Sequence, residues 1–293
     1  MIIDFHTHIF PPEVIARREV YLERDRWFGE LYSSPRARMA TAEELVAALD
    51  EAGADRAVAC GFAWADPGLC RMHNDYLIEA VRRYPERLIG FISVTPRHPR
   101  EAVEEISRCA AKGLRGIGEL MPNGQGFTLD DEAVMGPLAE AAAAHGLPVL
   151  VHTSEPVGHL YPGKGTVYPQ QVYALAQLFP ALTVICAHWG GGLPFYELMP
   201  EVREALRDVY YDTAASPFLY EDRIFPLLFP LVGHKILFGS DFPLLKIGRF
   251  IKRIRESGLS PEQVEMVLGE NAQRLLVRKF GSFAKNYNLR RDQ

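Results

Sequence analysis

The chain has 293 residues, of which 48% are hydrophobic and 24% charged, with a formal charge of -5 at pH 7. Such a balance excludes disordered and fibrous classes and leaves a globular protein large enough for one α/β barrel, which needs about 250 residues. The net negative charge argues against nucleic acid as a partner, and no apolar run approaches the roughly 18 residues of a membrane span, so a small-molecule ligand is expected.

The first strand is Met1-Ile2-Ile3-Asp4-Phe5-His6-Thr7-His8. Side chains alternate faces along a strand, so His6 and His8 share a side and aim two imidazoles at one point. No basic and apolar leader precedes it, and a cytoplasmic location is expected. The proline-bearing stretch from Ile9 to Ala40 is too long for a turn and reads as an insertion over one end of the fold, whose aromatic residues leave a homodimer open. Thr41 and Glu44 form a capping box, and the helix they start stops at Gly53.

From there the period of the apolar pattern alternates. Arg56 to Phe62, Leu88 to Val94, Arg115 to Leu120, Pro148 to Thr153, Leu182 to His188, Val209 to Thr213 and Lys235 to Asp241 read as strands. The helices between them are expected over 73–84, 100–112, 131–145, 168–179, 195–207 and 219–231, and a further one over 246–257. Ser260 and Pro261 start an extra helix, a last one runs near 270–280, and the tail with Lys285, Arg290 and Arg291 reads as a solvated end. Eight strands, each followed by a helix, imply right-handed crossovers and a parallel sheet closed into a (β/α)8 TIM barrel. Cys60, Cys70, Cys109 and Cys186 form no C-x-x-C pair and read as reduced core thiols.

On this map His6, His8, Glu119, His152, His188 and Asp241 all end strands, where barrel enzymes gather their active sites. Any one of them has a bland explanation as a loop histidine or helix cap, Asp241 included. Four imidazoles and two carboxylates at one rim have a common explanation in a divalent metal. Zinc is the first choice and manganese, iron or nickel are compatible, as one or two ions. A bound metal lowers the pKa of its water to about 7, and Asp241 is placed to take and return the proton. Phe62, Trp64, Asn123, Trp189 and Phe218 are expected around the mouth, with Lys164, Arg97 or Arg17 as carboxylate binders. Gly158 to Thr166 nearly matches a phosphate loop but has Gly165 where Ser or Thr is needed, and reads as a lid.

The pieces Asp4-Phe5-His6-Thr7-His8, Gly116-Ile117-Gly118-Glu119, Val151-His152-Thr153, Ala187-His188-Trp189-Gly190-Gly191, Phe238-Gly239-Ser240-Asp241-Phe242-Pro243 and Glu270-Asn271-Ala272 together resemble the amidohydrolase superfamily, in its aminocarboxymuconate-semialdehyde-decarboxylase-like branch. The resemblance spans almost the whole chain and implies a single barrel domain over 1–293. It also implies a metal held by His6, His8, His152 and Asp241, with His188 binding a second metal or polarising the substrate. Glu119 is where members diverge, because binuclear hydrolases of the superfamily bridge two metals through a glutamate there. The expectation drawn from it is a metal-dependent hydrolase cutting an amide, ester or lactone, with His188 and Asp241 catalytic. A mononuclear decarboxylase is the alternative, a catalytically silent binding barrel is a third reading, and an ion pair with Arg115 is the competing role for Glu119.

Overall fold

The computed structural model describes residues 1–281, so the expectation for Lys285, Arg290 and Arg291 lies outside the described residues. Eight parallel strands come in chain order: β1 Ile3–His8, β2 Arg56–Cys60, β3 Leu88–Gly90, β4 Ile117–Leu120, β5 Val149–Val151, β6 Val184–Cys186, β7 Val209–Asp212 and β8 Ile236–Leu237. Regular pairing joins β1-β2-β3 and β4-β5-β6-β7-β8. Main-chain bonds close the two gaps. Arg115 N donates to Gly90 O (2.8 Å) and Gly118 N to Ile92 O (2.9 Å). On the other side Phe5 N donates to Phe238 O (2.6 Å) and Asp241 N to His6 O (2.9 Å). The sheet is therefore a closed barrel, and among the described residues no edge of it is left open.

Period 2 sorts the strand residues into two cores. Ile3, Phe5, Val58, Cys60, Ile89, Phe91, Leu150, Ile185 and Leu237 fill the barrel, and Leu275 and Leu276 of the helix Asn271–Phe280 pack against them. The alternate positions, such as Ala57, Ala59, Val149 and Val184, face the outer helices. Two irregularities break this alternation where it matters. Asp4 pairs with Ala57 and Thr7 with Ala59, so three steps of β1 span two of β2. Likewise Ile117 pairs with Val149 and Leu120 with Val151. One extra residue reverses the facing of the residues after it, and so His6, His8 and Glu119 turn inward although Phe5 already does. Gly118 makes the second irregularity possible, since its φ is +122° and a Cβ there would collide with Leu150 O.

The helices depart from expectation at their ends. The one expected from His73 begins at Pro67, because the Asp66 carboxylate caps it by accepting from Leu69 N (2.8 Å). The segment expected as one helix over 219–231 is two, Ser216–Leu219 and Ile224–Val232. After β6 the chain from His188 to Gly192 keeps φ between 56° and 93°, a left-handed turn that three glycines allow, before the helix Pro200–Ala205. All four cysteines are free and buried. No helix among the described residues is long and apolar enough to cross a membrane.

The insertion is three short helices, Pro12–Ala16, Arg18–Arg24 and Arg26–Tyr32. They bury Phe10, Val14, Tyr21 and Phe28 against Phe62, Trp64 and Leu69 in a core of their own. At its centre the neutral His73 ring accepts from Trp64 Nε1 (3.0 Å) and Phe62 N (3.3 Å), and donates to Ile9 O (2.7 Å). Burial pushes this imidazole down from 6.5 to about 4. A histidine that stays neutral in the fold but titrates at its ordinary value when unfolded leaves stability intact above pH 6.5 and removes it as pH falls toward 4. The loss over that window is roughly 3 kcal/mol. Urea melts at pH 7 and pH 4.5 should show this loss in the wild-type protein and a much flatter response in His73→Gln. Equal slopes in the two proteins would remove His73 as the cause.

Candidate metal centre

All six strand-end residues meet in one place. His6 Nε2 lies 3.0 Å from His8 Nε2, and Glu119 Oε2 is 3.6 and 3.5 Å from these two nitrogens. Asp241 Oδ1 is 3.9 Å from His6 Nε2 and 3.6 Å from His8 Nε2. Four donors at the corners of a tetrahedron with bonds of about 2.1 Å would stand about 3.4 Å apart. Among His6, His8 and Glu119 the separations are those of a hole one cation wide, and Asp241 borders it on the side of the two histidines. Glu119 uses its other oxygen for a second group: Oε1 is 3.0 Å from His152 Nδ1 and 3.7 Å from His188 Nε2, and these two nitrogens are 3.2 Å apart.

The outward nitrogens show what charge this hole accepts. His6 Nδ1 meets Asp212 Oδ2 at 2.7 Å, His8 Nδ1 meets Gly61 O at 3.2 Å and His188 Nδ1 meets Ala214 O at 3.0 Å. His152 Nε2 faces Lys164 O at 3.4 Å. In His6, His8 and His188 the outer nitrogen faces an acceptor and carries the hydrogen, so the inner nitrogen of the neutral ring presents a lone pair, whereas His152 has its shorter contact inward, from Nδ1 to Glu119 Oε1. Lone pairs and carboxylate oxygens 3 to 4 Å apart repel unless something positive sits among them. The donor set fits a divalent cation.

The titration of the groups without a cation says the same. Burial pushes the His6 ring down, but the Asp212 and Glu119 carboxylates outweigh it and hold the ring well above its usual value. His188 is likewise opposed by burial and carried up to about 9 by Glu119, Asp241 and Asp212. Burial raises Glu119, and the surrounding imidazoles, His6 foremost, bring it well below the usual carboxylate range. His8 is lowered by burial and by its neighbour His6. The carboxylates impose a positive charge on the centre, and protons supply it where a metal does not.

Asp212 was missed in the sequence, although its position at the end of β7 is the register that marks the others. Besides holding His6 it accepts from His188 N (3.0 Å) and Ala214 N (2.9 Å), so one buried carboxylate fixes two of the site's residues. An Asp212→Asn protein keeps the shape and loses the charge behind His6. Its metal affinity is expected to fall about 10- to 100-fold, which a competitive chelator titration measures, and an unchanged affinity would show Asp212 to be a packing residue.

His188 and Asp241 share one backbone feature, a left-handed φ of 56° and 60°. Such conformations cost about 1–3 kcal/mol each in a residue with a side chain and gather at active sites. Above the centre opens a cavity of about 430 Å³ lined by His8, Glu119, His152, His188 and Asp241 at its floor and by Leu31, Tyr32, Phe62, Met121, Phe218 and Leu244 around it. Of the mouth residues expected, Phe62 and Phe218 are there. Trp64 is buried with its Nε1 on His73, Trp189 is buried with its Nε1 on Ser216 Oγ (2.9 Å), and Asn123 pairs with Thr166. Arg17 pairs with Glu13, Arg97 donates to Gly126 O, and Lys164 points into its own loop, so none of the three expected carboxylate binders lines the cavity. Arg38 does. Arg115 is exposed and stacks over Phe280, which leaves Glu119 to the histidines.

The family described as Amidohydrolase matches residues 3–278. The chain belongs to this amidohydrolase family. Among curated proteins, the chain is 26% identical to the 2-amino-3-carboxymuconate-6-semialdehyde decarboxylase of Dictyostelium discoideum, over 71% of this chain and 67% of that one. It is 25% identical to the gamma-resorcylate decarboxylase of Polaromonas sp., over 70% and 75%. Its fold is similar to that of the 5-carboxyvanillate decarboxylase of Novosphingobium aromaticivorans, solved with manganese and 4-hydroxy-3-methoxy-5-nitrobenzoic acid, with a TM-score of 0.76, 18% identity and 94% and 96% of the two chains covered. These relatives place the chain in the aminocarboxymuconate-semialdehyde-decarboxylase-like branch of the family and overturn the hydrolase expected from Glu119, since they are decarboxylases. A carboxylate among four imidazoles sets the charge and donor count of the centre; it does not choose the reaction.

Proposed function

We propose that this protein is a metal-dependent, non-oxidative decarboxylase of a small aromatic or otherwise unsaturated carboxylic acid. The observation that carries the reading is a donor cluster, His6, His8 and Glu119 with Asp241 beside the two histidines and His152 and His188 on the other oxygen of Glu119, at the floor of a largely apolar cavity. The relatives' activities support it, and the donor cluster supports a divalent ion. Manganese and zinc both suit oxygen and nitrogen donors.

A bound divalent cation would hold an oxygen of the substrate and oppose the negative charge left on carbon. The chain's residues do the rest. Apolar walls strip water from the carboxylate, which favours the change from an anion to neutral carbon dioxide. As the bond from the carboxyl carbon to the ring or chain breaks, its electron pair stays on the organic fragment. That carbon then takes a proton. His188, whose Nε2 faces Glu119 Oε1 at 3.7 Å and which lines the floor of the cavity, is the group placed to give it. Incubating manganese-loaded protein with a panel of carboxylated phenols, 2,6-dihydroxybenzoate and 5-carboxyvanillate among them, should release carbon dioxide and the matching phenol from at least one. A loaded protein that releases none from any member would sink the proposal.

A further inference from the structure

The near phosphate loop between Gly158 and Thr166 holds a lysine that the reaction above does not use. Lys164 is buried, and its ammonium donates to Val157 O (2.7 Å) and His159 O (3.1 Å) and lies 5.9 Å from the centre of the Tyr161 ring. Its backbone N–H donates to Tyr161 O (3.1 Å). The segment is clamped at its base, where Asn123 Oδ1 accepts from Thr166 N and Asn123 Nδ2 donates to Thr166 Oγ1, both at 2.8 Å. Toward the tip Val157 and Leu160 stand in solvent, so the shape of this stretch rests on the lysine. Among the described residues its charge meets carbonyl oxygens and an aromatic face and forms no ion pair.

An ammonium taken out of water without a counter-ion is costly, and through low-dielectric surroundings its field reaches further than in solvent. His159 and Tyr161, the two residues that the ammonium contacts, line the cavity together with Pro162 and Gly163. The same residue also touches the centre, through the carbonyl that faces His152 Nε2.

We propose that Lys164 is a positioning residue that folds this loop into the wall of the cavity, and that its unpaired charge makes the wall selective for an anion, the carboxylate of the substrate. The inference rests on the decarboxylase reading for the identity of that anion. It differs from a phosphate loop in direction, since the lysine turns away from the ligand and acts through the loop it holds.

The probes are salicylate and its neutral analogue salicylamide, titrated calorimetrically into manganese-loaded wild type, Lys164→Gln and Lys164→Met, with hydrogen exchange followed over residues 155–166. Glutamine keeps N–H donors and loses the charge. It should weaken salicylate about tenfold while leaving salicylamide within about threefold and exchange unchanged. Methionine loses both, and exchange over 157–163 should quicken about tenfold. The inference is overturned if the glutamine variant weakens both probes alike or neither, if methionine leaves exchange as in the wild type, or if the wild type does not bind salicylate. Salicylate binding without carbon dioxide release from any acid would count against the decarboxylase reading alone.

Discussion

Replacing Glu119 with glutamine is expected to empty the metal centre and to lower kcat/KM for carbon dioxide release about a hundred- to a thousandfold. The side chain keeps its size, so the barrel should fold as before. What changes is charge. One oxygen of Glu119 closes the hole with His6 and His8, and the other faces His152 and His188. An amide brings one oxygen and one NH2 group to the same place, and the NH2 repels either a cation or the hydrogen of a protonated ring. Metal analysis of the purified proteins decides the matter directly. A single ion per wild-type chain and almost none in Glu119→Gln would fit an ion held among His6, His8 and Glu119. Two ions, of which the variant keeps one, would show that Glu119 bridges them and that His152 and His188 are ligands rather than the pair facing the substrate. An unaltered single ion would remove Glu119 from the centre.

That experiment bears on the part of the molecule the sequence shows best. The barrel was legible because buried parallel strands read as apolar runs, such as Val149-Leu150-Val151, and because glycines and helix caps punctuate them. The convergence of His6, His8, His152, His188 and Asp241 is implied once those strands are counted. Their grouping is not. Which oxygen of Glu119 serves which histidines depends on the irregular register after Ile117, and a glycine inside a strand is the sole trace of that. Asp212 hid behind His6 because a supporting carboxylate looks like any acid that ends a strand. The lining of the cavity was least legible. Loop aromatics such as Trp64 and Trp189 carry the same residue code whether they face the cavity or, as here, are buried with their indole N–H on His73 and Ser216. The reaction lay furthest from reach, since hydrolysis and decarboxylation draw on the same donors.

Stability should depend most on a group far from any prediction of function. Lys235→Met is expected to cost about 3–5 kcal/mol, and to lower the melting temperature by about 10 °C in a chain of this length. Lys235 and Glu197 are both buried, with Lys235 Nζ 2.8 and 3.0 Å from the two carboxylate oxygens, and the ammonium also donates to Leu206 O (3.0 Å). Tyr211 OH donates to Glu197 Oε1 at 2.6 Å. The network joins the segment after His188 to β7 and to the start of β8, the strands that deliver Asp212 and Asp241. Removing the cation leaves a buried carboxylate facing a hydroxyl alone, and the cost arises from that unpaired charge rather than from a lost attraction. The double variant Lys235→Met with Glu197→Leu should therefore recover much of the loss, because no charge is then left inside. A double variant as unstable as Lys235→Met by itself would mean that the pair is favourable in its own right and that packing around Glu197 carries the penalty.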